Sequence, residues 1–183
     1  MKLRLPVLIV SLLSLFIAVA APAAIPAATQ ARIDERIQAI AAWAADPVVV
    51  EAVRAHNAAV PAEQAALTQD KWRALTVLDP LVRGFTRNDV GQFLKGKKDA
   101  AVSEAFVSDA AGLKVGFIAK TSNWSHKGKP KHDVPMTGKA WQGQVEIDES
   151  SGQYQLQVAV PVLDGGKPIG SLVVGLSIAD LAQ

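Results

Sequence analysis

The stretch from Lys120 to Gly143 concentrates histidine, tryptophan and lysine side chains, which are suited to binding a ligand. Its 24 residues include two of the three histidines, two of the four tryptophans and five lysines, but only one acid. The stretch has little helical or strand periodicity, so we expect a loop with at most one turn of helix. Aromatic surface beside N–H donors is what a pocket for a small polar ligand, including an anion, requires.

The candidate ligand-binding residues come from this loop and from the strands that follow it. Two tryptophans would supply aromatic walls, the loop's polar groups would donate to a carboxylate or similar anion, and two strand residues would reach in from the sheet. The set is Lys120, Thr121, Ser122, Asn123, Trp124, His126, Trp141, Asp148 and Gln157. An alternative is that the two tryptophans only cap the edge of the core.

The sequence pattern indicates structural roles for several other polar residues. Lys127, Lys129 and Lys131 alternate with glycine and proline, which predicts a solvated loop tip. His56 is predicted to be exposed near a helix end. Asp109 and Asp164 are predicted to be turn residues.

Neither a metal site nor a catalytic site is indicated. His126 and His132 are six residues apart, which matches no strong zinc-ligand pattern even with the neighbouring Asp133. The chain has no cysteine, Gly-x-Ser-x-Gly, His-Glu-x-x-His or phosphate-binding glycine loop. We therefore expect no catalytic residue, no metal and no cofactor, and predict that the chain is not an enzyme.

The first 24 residues have the pattern of a secretory signal. Lys2 and Arg4 precede an apolar run from Leu5 to Ala20, and Ala-x-Ala sites end at Ala20 and Ala23. The alternative is an uncleaved anchor, although this run is slightly short of the roughly 20 residues that span a bilayer. Either way the remainder is predicted to be periplasmic, as a secreted or membrane-anchored domain.

The charge balance and the cysteine content limit the classes of partner and the ways in which the fold can be stabilised. Without Lys2 and Arg4 the chain has 17 basic and 17 acidic residues, so nothing indicates nucleic-acid binding. The absence of cysteine excludes disulfides, so the fold must depend on its core.

The periodicity changes from helical to alternating near Lys98. Helices are predicted over residues 29–59, with a break at Asp46-Pro47, then over 67–78, after Asp79-Pro80, and over 88–94. Five strands follow, at residues 105–108, 113–119, 144–148, 153–163 and 169–178. This order predicts an α+β fold, with a five-stranded antiparallel sheet preceded by a long N-terminal helix and short helices.

Two segments resemble the Cache sensor domains, the PAS-like (PDC-type) periplasmic fold of chemoreceptors and sensor kinases. They are "EAFVSDAAGLKVGFIAKTSNW" and "YQLQVAVPVLDGGKPIGSLVVGLSIADL", and the likeness covers roughly Ile33 to Leu181. The resemblance implies a PAS-like sheet, an N-terminal helical segment over residues 25–60 and a sensor domain over residues 61–183. It also implies a small-molecule ligand, bound under the loop between the second and third strands.

The resemblance further implies the partners. A membrane sensor kinase, cyclase or chemoreceptor would receive the signal, and the long helix would serve as a homodimer contact. The stripe of Ile33, Ile37, Ile40 and Ala44 is compatible with either core or dimer use. A periplasmic adaptor with the same fold and no ligand is the alternative function.

The sequence departs from the family in two respects. The amino-acid-binding members carry a Tyr/Arg/Trp-Tyr/Asp pattern, whereas Tyr154 is the one tyrosine here and Arg87 is the last arginine. The sheet is followed by only a few residues, which predicts a free-standing sensor module.

Overall fold

The computed structural model describes residues 25–147 and 153–181. The predicted signal segment and the candidate site residue Asp148 lie outside the described residues.

Six helices precede the sheet in the part of the chain that the structure describes. The two longest are separated at Asp46, whose carboxylate accepts a hydrogen bond from the Val48 N–H (3.0 Å) and caps the second helix. The helix predicted over 67–78 covers only residues 69–74. It ends there because Leu75 adopts an extended conformation. The helices are α1 Ala27–Ala44, α2 Pro47–Ala58, α3 Ala62–Ala65, α4 Gln69–Ala74, α5 Pro80–Arg87 and α6 Asp89–Lys97.

The antiparallel sheet has six strands in the described part, one more than predicted. The strand expected over 144–148 is shortened to residues 146–147, and a further short strand forms at residues 141–142, inside the stretch predicted to be a loop. Both pair with the same long neighbour. The strand order is β2-β1-β6-β5-β3, with β4 also on β5. The strands are β1 Val102–Asp109, β2 Lys114–Phe117, β3 Trp141–Gln142, β4 Glu146–Ile147, β5 Tyr154–Asp164 and β6 Lys167–Ser177.

The long β5–β6 hairpin is the centre of the sheet. Its turn uses Gly165 and Gly166, both with positive φ (56° and 81°), a conformation that glycine adopts without steric cost. Beyond the hairpin, the helical turn α8 (Ile178–Leu181) packs back against α1.

One face of the sheet carries the main apolar core under α1 and α2. The alternating pattern of β5 predicts one face formed by Tyr154, Leu156, Val158, Val160 and Val162. The last four are buried here, whereas Tyr154 at the start of the strand is 60% exposed. The stripe on α1 serves the core rather than a dimer contact: its members Ile33, Ile40 and Ala44 are buried, and Ile37 packs against the same cluster. A homodimer through α1 stays a prediction and would have to use the opposite face.

The other face of the sheet carries a second, aromatic cluster. Trp72 lies at its centre, with ring centroids 6.0 Å from Phe85 and Phe117 and 5.3 Å from Trp124. Phe106, Ala159 and Val173 supply the sheet surface beneath these rings. Beside this cluster the face becomes polar, and the short helix α7 (Pro130–Asp133) crosses it.

Candidate functional site

A cavity of about 260 Å³ lies between the polar part of the sheet and the segment that follows β2. Two strands and the segment contribute to its walls. The lining residues are Ser103, Glu104, Phe106, Thr121, Ser122, Asn123, His126, Lys131, Gln155 and Gln157. Hydroxyl, amide and charged groups therefore surround the cavity, with the Phe106 ring as its aromatic surface.

The cavity floor, which we define as Glu104, Gly175 and Gln157, is one row of residues across β1, β6 and β5. Because Gly175 has no side chain, the Gln157 amide crosses the row and donates a hydrogen bond from Nε2 to Glu104 Oε1. A Cβ atom at Gly175 would lie 2.8 Å from Glu104 Cγ and 2.5 Å from Ser103 Oγ. The glycine thus keeps the floor open.

Lys131 on α7 completes a chain of polar groups over this floor. Its Nζ donates to Gln157 Oε1 at 2.7 Å, so one amide joins a cationic and an anionic side chain. Burial lowers the pKa of Lys131, while the negative charges of Glu104 and Glu146 act in the opposite direction. A lysine and a glutamate side chain therefore flank the cavity together.

Helix α4 holds the first part of the loop in place. The Trp72 indole N–H donates to the carbonyl of Thr121 at 2.8 Å. The Gln69 amide donates to the carbonyl of Ser122 (2.9 Å) and accepts from the Trp124 N–H (2.9 Å). Backbone groups that a loop would otherwise leave unpaired are thus fixed by side chains.

Two buried histidines hold the rest of the loop on the sheet. His126 contacts Lys114 Nζ through Nδ1, and His132 Nδ1 lies 2.8 Å from the Ser171 hydroxyl. Burial lowers the pKa of both histidines, that of His126 to about 2 with a further contribution from the neighbouring lysines. Both imidazoles are therefore neutral at physiological pH.

The structure brings five of the nine predicted site residues to the cavity, and they are Thr121, Ser122, Asn123, His126 and Gln157. Three others lie elsewhere. Trp124 is 4% exposed in the aromatic cluster, and Trp141 on β3 packs against the same cluster rather than lining the cavity. Lys120 Nζ lies 4.8 Å from the centre of the Trp72 ring. The tryptophans follow the alternative considered from sequence, because stacking on buried rings removes more of their surface from water than a polar cavity would.

Several lining residues were missed by sequence reasoning. Lys131 was predicted to belong to a solvated tip, yet it points into the cavity, because Pro130 starts a helix there and His132 is buried beside it. Lys127 and Lys129 are exposed, as predicted. Glu104 carried a weak signal, since it is two residues before Phe106 and therefore on the same face of β1.

Two turn predictions are confirmed in geometry and one histidine prediction is wrong. Asp109 Oδ1 accepts from the Ala111 and Leu113 N–H groups, which closes the β1–β2 turn. Asp164 lies beside the β5–β6 turn and binds Arg54 through both oxygens. His56 is buried rather than exposed, because Nδ1 contacts Asp109 Oδ2 at 2.8 Å and Nε2 contacts the Gln64 amide oxygen at 2.7 Å.

Comparison of the fold with solved structures finds bacterial chemoreceptor ligand-binding domains. The Pseudomonas fluorescens chemoreceptor CtaA in complex with L-leucine gives a TM-score of 0.51 at 16% identity, over 84% of this chain and 53% of that one. The Pseudomonas aeruginosa amino-acid chemoreceptor PctC in complex with GABA gives 0.47 at 12% identity, over 83% and 56%. The Campylobacter jejuni chemoreceptor Tlp3 with isoleucine bound gives 0.42 at 16% identity, over 85% and 65%.

The likeness to the CtaA domain confirms the predicted resemblance to PDC/Cache-like sensory domains at the level of the fold. The neighbours are sensory ligand-binding domains rather than enzymes. This chain spans 53–65% of the length of those three domains. No protein-family model matches the sequence, and no curated protein matches it.

Among residues 25–147 and 153–181, no helix combines the length and the apolar character needed to cross a bilayer.

Proposed function

We propose that this chain is an extracytoplasmic sensor domain of the Cache type that binds a small polar ligand in the cavity under the loop. The observation that carries this proposal is the cavity itself, which is lined by polar groups and bordered by a loop that α4 and the sheet hold in place. A periplasmic adaptor with the same fold and no ligand would be expected to fill this space with apolar side chains.

The size and charge of the cavity favour a small ligand with a carboxylate. Its volume of about 260 Å³ is just below the range of about 300–1,000 Å³ typical of small-molecule sites. Lys131 and His126 offer donors for an anion, and Glu104 offers an acceptor for an ammonium or hydroxyl group. Small organic acids and amino acids both satisfy these requirements, and the neighbouring structures contain L-leucine, GABA and isoleucine.

Any amino acid would have to be recognised here without the family's usual pattern. Tyr154 lies at the start of β5 and is 60% exposed. The residues of β5 that line the cavity are Gln155 and Gln157. Binding would therefore rest on Lys131, Gln157 and the loop. Closure of the loop on the ligand would be transmitted through the sheet to α1, and from there to a separate sensor kinase, cyclase or chemoreceptor.

A thermal-shift screen of residues 25–183 against amino acids, organic acids and amines tests the proposal. A ligand at 100 times its Kd stabilises a domain by about 2.7 kcal/mol. We expect the shift to disappear in Gln157→Leu and to persist in Lys129→Met, a matched change at an exposed lysine of the same loop. If no compound shifts the melting temperature, the adaptor alternative replaces the sensor proposal, and capture of a periplasmic partner should follow.

A further inference from the structure

A buried lysine contacts a buried histidine in the wall of the cavity. Lys114 on β2 has 0% exposure, and its Nζ contacts His126 Nδ1 and lies 3.4 Å from the Ser108 hydroxyl. The same Nζ is 3.9 Å from the centre of the Phe106 ring, on which the His126 ring stacks at a centroid distance of 4.7 Å. The Lys114 ammonium or amine group is thus separated from the cavity by the rings of Phe106 and His126, both of which line it.

The second nitrogen of His126 faces the cavity. In the described part of the chain, every fully buried side-chain nitrogen or oxygen has a hydrogen-bond partner. His126 Nδ1 is used by Lys114, and Nε2 makes no hydrogen bond, so Nε2 must lie at the open surface of the cavity that His126 lines. A ligand can therefore reach the Lys114–His126 pair through a single atom.

None of the carboxylates in the described part of the chain contacts Lys114 Nζ, although the negative charges of Glu104 and Asp109 act to raise its pKa. The titratable groups facing the pair are Glu104 and Asp109 on β1, and Lys129, Lys131 and His132 in the loop and α7. The Asp109 oxygens are used by His56 and by backbone N–H groups, and Glu104 accepts from Gln157. Burial, followed by the charge of Lys131, lowers the pKa of Lys114 well below its ordinary value.

We propose that an anionic oxygen of the ligand binds at His126 Nε2 and that the Lys114–His126 pair takes up one proton from solvent as it binds. This inference rests on the proposed function. In the empty cavity Lys114 is a neutral amine that accepts from the Nδ1–H of His126, so Nε2 presents a lone pair. In the complex Lys114 is an ammonium that donates to Nδ1, and the proton of His126 lies on Nε2, where it donates to the anion. The anion supplies the counter-charge that the buried ammonium otherwise lacks.

The proposal predicts a pH dependence of affinity. Because one proton binds together with the anion, the Kd should rise up to tenfold per pH unit between the pKa of the empty pair and the higher pKa of the occupied pair, and should level off above that second pKa. Lys131 could produce a similar dependence, since it also titrates beside the cavity. The two lysines must therefore be separated by mutation.

Isothermal titration calorimetry of residues 25–183 at pH 8, in phosphate and in Tris buffer, counts the protons taken up. The probes are acetate, L-lactate, succinate and L-leucine. We expect uptake of up to one proton in the wild type and in Lys131→Met, and none in Lys114→Met. Uptake that disappears in Lys131→Met and persists in Lys114→Met would overturn the proposal.

Nitrogen-15 NMR of wild-type His126 provides a test that does not depend on the folding of Lys114→Met. We expect the proton on Nδ1 in the empty domain and on Nε2 after a carboxylate is added. An unchanged tautomer would overturn the proposal. If only amines or neutral compounds bind, the sensor function stands and this inference falls, whereas if nothing binds, both fall.

Discussion

Gly175 is the residue on which the shape of the candidate site depends most directly. It lies between Glu104 and Gln157 in the floor row, and a methyl group there would displace the Glu104 and Ser103 side chains. Both displaced groups are flexible and face the cavity, so the sheet can absorb the change while the site cannot. Glycine is therefore needed at this position to leave room for the Glu104 and Ser103 side chains, and not only for its backbone conformation.

We predict that Gly175→Ala abolishes the ligand-induced thermal shift while the domain remains folded. The control is Gly96→Ala in α6, where an added Cβ would meet nothing within 4 Å. That control should raise the free energy of unfolding by about 0.5–1 kcal/mol, since glycine is disfavoured within a helix. Thermal melts of both variants with and without ligand check the prediction, and an undiminished shift in Gly175→Ala would contradict it.

At the scale of elements, the loop depends on the short helix α4. Gln69 and Trp72 are on this helix, and together they bind backbone groups of residues 121, 122 and 124. The aromatic cluster fixes Trp72, so the position of the loop is coupled to the packing of a core on the same face of the sheet. Helix α2 holds the C-terminal end of β1 in a similar way, because His56 on α2 contacts Asp109, the last residue of that strand.

We predict that Gln69→Ala loosens the loop without unfolding the domain. Two hydrogen bonds to backbone groups are lost, so the free energy of unfolding should fall by about 1–2 kcal/mol. Amide hydrogen exchange should become faster at residues 121–124, and ligand affinity should fall. Arg73→Ala on the exposed side of α4 is the matched control, and equal exchange rates in the two variants would show that α4 does not hold the loop.

At the scale of the whole molecule, three buried histidines connect stability to pH. The pKa values of His126 and His132 are lowered chiefly by burial, so their stabilising effect is present above pH 6.5 and is lost as the pH falls toward their folded values. His56 has the opposite sign. Burial opposes its charge, but the hydrogen bonds to Asp109 and Gln64 raise its pKa, so it stabilises below pH 6.5 and less above its folded pKa.

We expect the two lowered histidines to outweigh the third, so that the domain loses stability between pH 7 and pH 4. Each of them can contribute a slope of up to about 1.4 kcal/mol per pH unit. Urea denaturation at intervals of one pH unit measures the slope in the wild type and in His126→Asn, in which it should be smaller. Identical slopes would mean that His126 is not held neutral in the folded state.

The helices and strands followed from local signals in the sequence. Asp46-Pro47 and Asp79-Pro80 are helix starts because each aspartate accepts a backbone N–H and each proline fits the first turn. Strict alternation placed Leu156, Val158, Val160 and Val162 on one face of β5, and the motif around Asp164 predicted the hairpin. Such signals depend only on neighbours along the chain, so they can be read before the fold is known.

The composition of the cavity depended on the tertiary structure. Nothing in the sequence indicates that Glu104, Lys131 and Gln157 meet, because strand pairing and the seating of α7 bring them together from three separate segments. The tryptophans could not be assigned for the same reason: Trp124 found partners in Trp72 and Phe85, which belong to distant helices. The sequence by itself determined the order of elements and the loop that carries the site. Packing across the sheet decided which side chains of that loop face the cavity and which ones face the core.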